Sequence, residues 1–293
     1  MGNLKIIRTR IASVASTQKI TSAMKLVSAA KLRKAQNAIV GLRPYSTKLD
    51  EILGTLSDTV ENKEKLPFLK VREPKNVVLV AITANRGLCG TFNSNVIKEV
   101  QRVIREQYAQ QNQDGNLSIV CIGRKGYEQL GKYYKIRNYN DQLIENPDFN
   151  DLTMIANQLL EDFLNQKIDK IDIIYNRFVN PATQKIEVAH FLPVQNLDTE
   201  FRNEKKQHDY IFEPSKDVLL MELIPKILKI KIFKSLIDSI ASELGARMTS
   251  MAKATDNASD MLKELKMKYN NARQSSITTE LIEIISGANA LDT

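Results

Sequence analysis

The spacing of apolar residues near the N-terminus predicts one long helix. Apolar side chains recur there at intervals of three and four residues, which places them along a single helix face. Neither glycine nor proline interrupts residues 3–40. The apolar positions are Leu4, Ile7, Ile11, Val14, Leu32, Ala35, Ile39 and Leu42. We therefore assign residues 1–58 to an N-terminal helix.

A second long helix is predicted at the C-terminus, within residues 210–293. Its apolar positions alternate in steps of three and four over five heptads, the pattern of a left-handed coiled coil. Facing positions in the N-terminal helix are small or polar, so we expect the two helices to pair in antiparallel fashion at close distance. The C-terminal seam is Ile230, Phe233, Ile237, Ile240, Leu244, Arg247, Met251, Ala254, Ala258, Met261, Leu265 and Lys268. The facing N-terminal positions are Gln18, Thr21, Lys25 and Ser28.

The middle of the chain, residues 75–195, alternates between predicted strands and helices. Its strands are short, continuous apolar runs, as in a parallel sheet that is buried on both faces. Strand–helix alternation of this kind indicates a doubly wound, Rossmann-like α/β domain. The strands fall at 76–83, 117–122, 171–175 and 186–192, and the helices at 93–111 and 152–164. Residues 45–74 and 195–225, which contain or adjoin most of the prolines, are expected to connect this domain to the two long helices.

Charge changes this picture because it is concentrated at one end. The chain has a net charge of +8, yet its first 49 residues contain ten basic side chains and no acidic one. A helix with so many uncompensated cations is predicted to lie against something acidic, either the other end of this chain or a separate partner. The basic residues lack the interleaved aromatic side chains of single-strand binders, which disfavours nucleic acid. We expect the N-terminus to be part of the mature protein, and no apolar run reaches the 18 residues that would predict a bilayer span.

The loop 83–90 is the one segment that resembles a cofactor site. It follows a predicted strand and precedes a helix, but it has no lysine–hydroxyl pair and no three-glycine fingerprint. Gly87 and Gly90 are better explained by a tight turn. Cys89 has no motif linking it to either histidine, and Cys89 and Cys121 offer no zinc-ligand spacing. We therefore predict no catalytic, metal or cofactor site.

Two other classes of protein remain open on the residues alone. One is a nucleotide-dependent α/β enzyme with a coiled-coil arm. The other is a coiled-coil scaffold that self-associates, which the polar seam between Gln18 and Ser28 disfavours. Within the C-terminal seam, Lys268 is expected to extend to solvent, whereas Arg247, beside two small residues, is expected to meet a partner.

Four segments resemble the gamma subunit family of F-type ATP synthases. Because they lie at both ends and in the middle, the resemblance covers essentially the whole chain. The terminal segment is the most specific, with Ile277, Thr278, Glu280 and Gly287 in register. The segments are MKLVSAAKLRKAQ at 24–36, RGLCG at 86–90, ARMTSMAKATDN at 246–257 and YNNARQSSITTELIEIISGA at 269–288.

The resemblance implies a rotor. In that family the terminal helices form an antiparallel coiled-coil shaft inside a ring of alpha and beta subunits, and the α/β domain binds the epsilon subunit and the membrane rotor ring. The subunit transmits torque and has no active site or cofactor. For a bacterial member, the implied location is peripheral, on the cytoplasmic side of the inner membrane.

The resemblance also assigns roles to individual positions. By matching position, Arg273, Gln274, Thr278 and Glu280 would engage a loop of the beta subunit. Met24 and Lys25 would face the acidic lever of the beta subunit, whose charge would account for the basic N-terminal helix. The foot segment near the rotor ring would contain Tyr210, Phe212 and Glu213.

Overall fold

The structure is a computed structural model that describes residues 2–58, 67–194 and 216–291. Two very long helices enclose, in chain order, a five-stranded sheet with its connecting helices. The elements are α1 (Gly2–Asp58), β1 (Val77–Ile82), α2 (Phe92–Gln107), α3 (Ala109–Gln113), β2 (Leu117–Ile122), α4 (Arg124–Leu130), β3 (Ile136–Asn140), α5 (Gln142–Glu145), α6 (Phe149–Leu164), β4 (Lys170–Asn180), β5 (Thr183–Leu192) and α7 (Lys216–Leu291). This arrangement confirms the predicted fold class.

Contacts divide the chain into two compact units. The first, which we call the shaft unit, consists of Met1–Ala29 and Arg247–Thr293. The second, the sheet unit, consists of Ala30–Ala246. Chain direction alone makes the helix pairing in the shaft unit antiparallel, since α1 leaves that unit at Ala29 and α7 enters it at Arg247.

The sheet has the strand order β3-β2-β1-β4-β5. Strands β1 to β4 are parallel to their neighbours, and β5 pairs antiparallel with β4. Every residue of β1 and β2 is buried, as their continuous apolar sequences predict. Helices α2 and α4 pack on one face, through Val100 and Leu130 among others. On the other face, Ile155 and Leu159 of α6 lie beside Val120 of β2.

The heptad of α7 is largely buried. In the sheet unit, Ile237 and Leu244 are inside, and in the shaft unit Met251 and Leu265 are inside. Met261 is an exception, with 51% of its surface exposed. The seam prediction therefore holds for most positions, although the outer heptads are only partly covered in this chain.

The helices assigned to residues 1–58 and within 210–293 overlap the connecting segments expected at 45–74 and 195–225, and the structure follows the helices where they overlap. Residues 45–58 continue α1 beyond Pro44, and residues 216–225 already belong to α7, which contains Pro225. A proline inside a helix costs about 3 kcal/mol because it removes one hydrogen bond and crowds the preceding turn. Burial of large apolar side chains contributes about 1.5–3 kcal/mol each. Buried Ile39 and Leu49 flank Pro44, so their packing offsets that cost.

A second correction concerns the helix expected at 93–111. It is interrupted at Tyr108, which has a non-helical backbone (φ −128°, ψ 28°), so that α2 and α3 are separate. The side chain of Tyr108 is 2% exposed and points into the core beneath α2. Elements α4, β3 and α5 were not predicted from the sequence.

Candidate partner-binding surface

Eight basic residues in the first part of α1 face solvent. All eight basic side chains between Lys5 and Lys34 are exposed. Within the part of the chain that the structure describes, none of them forms an ion pair. Exposed like charges along one helix repel one another, so this helix carries unused electrostatic attraction for an acidic surface. Of the two acceptors that the sequence left open, the described ion pairs include none between these eight residues and the other end of the chain, which favours a separate partner.

The shaft unit also exposes large apolar side chains that the sequence analysis did not single out. On α1, Leu26 and Val27 are 67% and 57% exposed. Near the end of α7, five apolar side chains between residues 277 and 285 are about half to two-thirds exposed: Ile277, Leu281, Ile282, Ile284 and Ile285. Apolar side chains clustered in this way mark a surface that a partner covers. At 3.6 residues per turn these side chains fall within about 160° of one another on the helix, so the spacing of this broad apolar face could have revealed them.

The four C-terminal positions assigned by resemblance lie on this same stretch of α7. Arg273, Gln274, Thr278 and Glu280 are all exposed. The Thr278 hydroxyl donates to the backbone carbonyl of Gln274 at 2.9 Å. This bond lies within the helix and leaves the side-chain amide of Gln274 available to a partner. Arg273 and Glu280 are seven residues apart, which puts them on one helix face two turns from each other. Neither forms an ion pair with a described residue.

The three remaining predicted contact residues also belong to the shaft unit. Lys25 is exposed, while Met24 and Arg247 are half-buried. Met24 and Lys25 are adjacent on α1, and Leu26 and Val27 extend the same exposed stretch. The foot residues Tyr210, Phe212 and Glu213 lie outside the described residues.

The loop after β1 is built for packing against α7. Ala84, Cys89 and Phe92 form a buried cluster with Ala246 of α7. Asn176 of β4 donates to the Phe92 carbonyl at 3.1 Å, and Ser242 of α7 donates to the Asn176 carbonyl at 2.9 Å. In doubly wound folds this edge of the sheet is where a nucleotide would bind. Here Ala246 of α7 packs against the buried residues of the loop, and Asn176 of β4 is hydrogen-bonded to the residue at the start of α2.

A cavity of about 50 Å³ lies between β3 and α6 and is lined by Val120, Arg137, Asn138, Ile155, Gln158 and Leu159. Pockets for drug-sized ligands are on the order of 300–1,000 Å³. This cavity is therefore too small to hold a ligand of that size, and it is a packing defect.

Buried ionisable groups in the sheet unit are engaged with one another. The carboxylate of Asp172, on β4, is completely buried and contacts the Tyr108 hydroxyl and the Nδ1 atom of His190. Burial, and then hydrogen bonding to Asp172, raises the pKa of Tyr108. On the opposite face, burial and the charge of Glu187 raise the pKa of Tyr175. These groups hold strands and helices together within the domain.

Comparison with known proteins identifies the family. A family model described as ATP synthase matches residues 3–291. A protein named ATP synthase gamma chain from Christiangramia forsetii is 48% identical to this chain, and the match covers all of both chains. One with the same name from Flavobacterium johnsoniae is 49% identical, again over the full length of both. The chain belongs to the ATP synthase gamma chain family.

Chains in solved structures of ATP synthases share the fold. A chain from the mitochondrial ATP synthase of Euglena gracilis matches with a TM-score of 0.67 at 20% identity, covering 99% of this chain and 95% of that one. A chain from the central stalk and c-ring of the Tetrahymena thermophila mitochondrial ATP synthase matches with a TM-score of 0.58 at 24% identity, covering 80% and 99%. Among the described residues, no helix is both long enough and apolar enough to cross a bilayer.

Proposed function

We propose that this chain is the central rotor shaft of an F-type ATP synthase, which transmits torque between a membrane rotor ring and a catalytic head of alpha and beta subunits. The observation that carries the proposal is the exposed surface of the shaft unit. It combines uncompensated cations on α1 with exposed apolar side chains near the end of α7. Both features suit a helix pair that is enclosed by another protein.

The two kinds of surface have different physical consequences. Exposed apolar area near the end of α7 favours enclosure in an apolar collar, where it is removed from water at every angle of rotation. Cations on α1 attract acidic groups over several ångströms without a fixed geometry, so they tolerate a moving partner. A rotating shaft needs both properties. Its end must stay enclosed at every angle, and the contact along its side must change as the angle changes.

In this proposal, different partner subunits bind at different positions along the chain. The alpha and beta subunits surround the shaft unit, with Met24, Lys25, Arg247, Arg273, Gln274, Thr278 and Glu280 among the contact residues. The sheet unit binds the epsilon subunit and the rotor ring, and the complex is peripheral on the cytoplasmic side of the bacterial inner membrane. The names of the relatives support this location.

The chain itself is proposed to be non-catalytic. Support comes from the loop after β1, whose residues are used in packing against α7. The buried acid Asp172 is likewise engaged with Tyr108 and His190 in the domain interior. Chemistry at phosphate would need an open cradle of backbone amides and a metal-binding hydroxyl.

Reconstitution with alpha and beta subunits of a close relative tests the proposal. We expect a complex containing one copy of this chain to hydrolyse ATP, and a bead attached to the sheet unit to rotate when ATP is added. A complex that forms and turns over ATP with no rotation of the bead would contradict the rotor role. The purified chain alone, assayed in parallel, separates this proposal from a nucleotide-dependent enzyme, because the enzyme would hydrolyse ATP without partners.

A further inference from the structure

Strand β5 is an edge strand of the sheet. Among the described residues it pairs only with β4, and none of its residues 183–190 is buried, whereas β1 and β2 are buried throughout. It is ten residues long and contains no proline. An edge strand of this kind presents unpaired backbone N–H and C=O groups, which form a template for pairing with another chain.

The carbonyl of His190 indicates which backbone groups of β5 point outward. It accepts a hydrogen bond at 3.4 Å from Nζ of Lys231 on α7, a donor outside the ladder with β4. In an antiparallel ladder, residues that bond the neighbouring strand alternate with residues that point away from it. By this alternation, Gln184, Ile186 and Val188 direct their N–H and C=O groups to the open side.

Two charged residues flank Ile186 on β5. The Glu187 carboxylate lies 3.0 Å from Nε of Arg177 and 3.1 Å from the Tyr175 hydroxyl, both on β4. Lys185 is exposed, lies directly opposite Arg177 in the strand register, and forms no ion pair with a described residue. Like charges directly opposite each other are destabilising, so a further carboxylate beside Lys185 would stabilise the strand.

A second copy of β5, laid antiparallel along the open side, supplies that carboxylate. When the pair is centred on Ile186, each Lys185 lies directly opposite a Glu187 of the other copy. Centring on Lys185 or on Glu187 would instead place like charges opposite each other. Centring on Gln184 or on Val188 would place both charges opposite uncharged residues. Charge therefore selects one register.

We propose that two copies of the free chain form a dimer by pairing their β5 strands, centred on Ile186, into one continuous sheet. Gln184, Ile186 and Val188 would exchange about six backbone hydrogen bonds across the dimer. Ile186 and Val188, which are only partly buried against the core, would be covered by the second copy. Because the two-fold pairing uses the open side of both strands, association stops at the dimer.

Helix α7 leaves room for this pairing. Its Ser242 donates to the Asn176 carbonyl, so at this point α7 lies beside β4 and not beyond the edge of β5. The two β4 strands of the dimer would be three strand spacings apart, about 14 Å. That separation exceeds the diameter of a helix with its side chains, about 10–12 Å.

The dimer belongs to the chain before assembly, and this part rests on the proposed function. A complex that takes one copy of the shaft has to separate the two strands. Until then, pairing covers an edge that would otherwise recruit further chains and lead to aggregation.

Sedimentation velocity of the purified full-length chain, over a rising concentration series, tests the dimer. Wild type should shift from monomer to dimer and no further. Lys185→Glu places carboxylates opposite each other twice, and we expect it to weaken dimerisation about tenfold. Lys98→Glu, at an exposed position of α2, changes net charge equally and should dimerise like wild type. A monomer at every concentration, growth beyond the dimer, or wild-type association of Lys185→Glu overturns the proposal.

Single cysteines test the register, in a background with Cys89→Ala and Cys121→Ala. Centred pairing puts the Cα atoms of two Ile186→Cys residues about 5.5 Å apart, within the range of a disulfide. Two Val188→Cys residues would be about 13 Å apart along the strands, too far to bridge. Mild oxidation should therefore link Ile186→Cys into dimers and leave Val188→Cys monomeric on a non-reducing gel. Equal linkage of the two variants, or none at position 186 in a chain that keeps its circular dichroism, overturns the register.

These measurements remain separate from the test of the rotor. If the reconstituted wild-type complex does not rotate, the proposed function fails, while sedimentation and cross-linking of the free chain still decide the pairing of β5.

Discussion

The hydroxyl of Tyr108 lies 2.5 Å from Oδ2 of Asp172, deep in the sheet unit. The other carboxylate oxygen, Oδ1, is 2.6 Å from Nδ1 of His190 on β5. Asp172 is completely inaccessible to solvent. These two contacts compensate for the loss of water around its carboxylate. The pair also accounts for the break between α2 and α3, since Tyr108 leaves the helical conformation where its ring enters the core.

We therefore expect Tyr108→Phe to destabilise the sheet unit. The change removes one donor from a buried carboxylate, which costs about 1–3 kcal/mol of unfolding free energy. Chemical denaturation followed by circular dichroism measures it. Tyr133→Phe is the control, because the Tyr133 side chain is 72% exposed, and it should stay close to wild type at neutral pH.

Alkaline pH gives a second test of the same contact. Burial, and then the Asp172 carboxylate, raises the pKa of Tyr108 in the folded state. An unfolded tyrosine loses its proton near pH 10, at about its reference pKa. The folded state thus binds the proton more tightly, so its contribution is kept below about pH 10 and lost as the pH rises further. The free energy of unfolding should fall more steeply above pH 10 in wild type than in Tyr108→Phe, and equal slopes would argue against the contact.

Gly245 of α7 is predicted to accommodate a Cβ only at the cost of strain against Pro181. A Cβ there would lie 3.1 Å from the Pro181 carbonyl oxygen and 3.2 Å from the Pro181 Cα. The turn containing Pro181 cannot easily retreat, because the Asn180 side chain accepts hydrogen bonds from the backbone amides of Ala182 and Thr183. Gly245→Ala should lower the free energy of unfolding by about 1–3 kcal/mol.

The matched control for Gly245→Ala is another glycine inside a long helix. A Cβ at Gly41 of α1 would meet nothing within 4 Å. Gly41→Ala should instead stabilise the protein by about 0.4–1 kcal/mol, because it restricts the unfolded chain. Equal effects at the two positions would show that helix propensity, and not the Pro181 contact, decides the outcome.

The basic face of α1 should act through its summed charge. One exposed pair is worth about 0.2–1 kcal/mol, so Lys25→Ala alone should change coupling little. Replacing Lys19, Lys25 and Lys31 together with glutamate removes three attractions and adds three repulsions. We expect ATP synthesis by the reconstituted complex to fall about tenfold or more, a factor that needs only about 1.4 kcal/mol.

The control for that variant changes the same number of exposed lysines elsewhere. Glutamate at Lys98, Lys132 and Lys135 of the sheet unit alters net charge equally. If both triple variants lose synthesis to the same degree, the effect belongs to net charge and not to the α1 face.

Arg273 and Gln274 should matter only in the complex. An arginine offers a planar fork of donors that can hold a carboxylate, and losing one side of a buried contact of that kind costs about 2–5 kcal/mol. Arg273→Leu with Gln274→Leu is expected to reduce assembly or ATPase activity, while the isolated chain keeps its helical circular dichroism. Lys266→Leu is the control, because Lys266 is also exposed on α7, and we expect it to leave assembly and ATPase activity close to wild type. A double variant with normal assembly and rate would make this patch ordinary surface.

The sequence predicted the parts of the fold that depend on simple repeats. Continuous apolar runs located β1 and β2 because buried parallel strands are apolar on both faces, and the heptad located α7 because its seam is largely buried. Strand β3 escaped prediction because it is an edge strand with mixed polarity, Ile136–Asn140. Pro44 and Pro225 misplaced the expected connecting segments, because the packing of neighbouring apolar residues outweighs one missing hydrogen bond.

The contact surface was predicted less completely for a physical reason. Charge is visible in a sequence whatever its surroundings, so the basic face of α1 could be recognised at once. Exposed leucines such as Leu26 look the same as core leucines until the fold shows which side of the helix is covered. The hydrogen bond from the Thr255 hydroxyl of α7 to the Thr21 hydroxyl of α1, 2.8 Å long, joins residues 234 positions apart, and no local pattern specifies it.

That separation has a consequence for how the protein is made. Ribosomes add about 5–20 residues per second, so roughly 10–50 s pass between the synthesis of Thr21 and that of Thr255. During that interval the apolar stripe of α1 has no α7 to cover it, and a lone helix in water is marginal at best. The nascent chain must therefore be shielded by chaperones, or stay unfolded at its N-terminus, until its last 80 or so residues emerge.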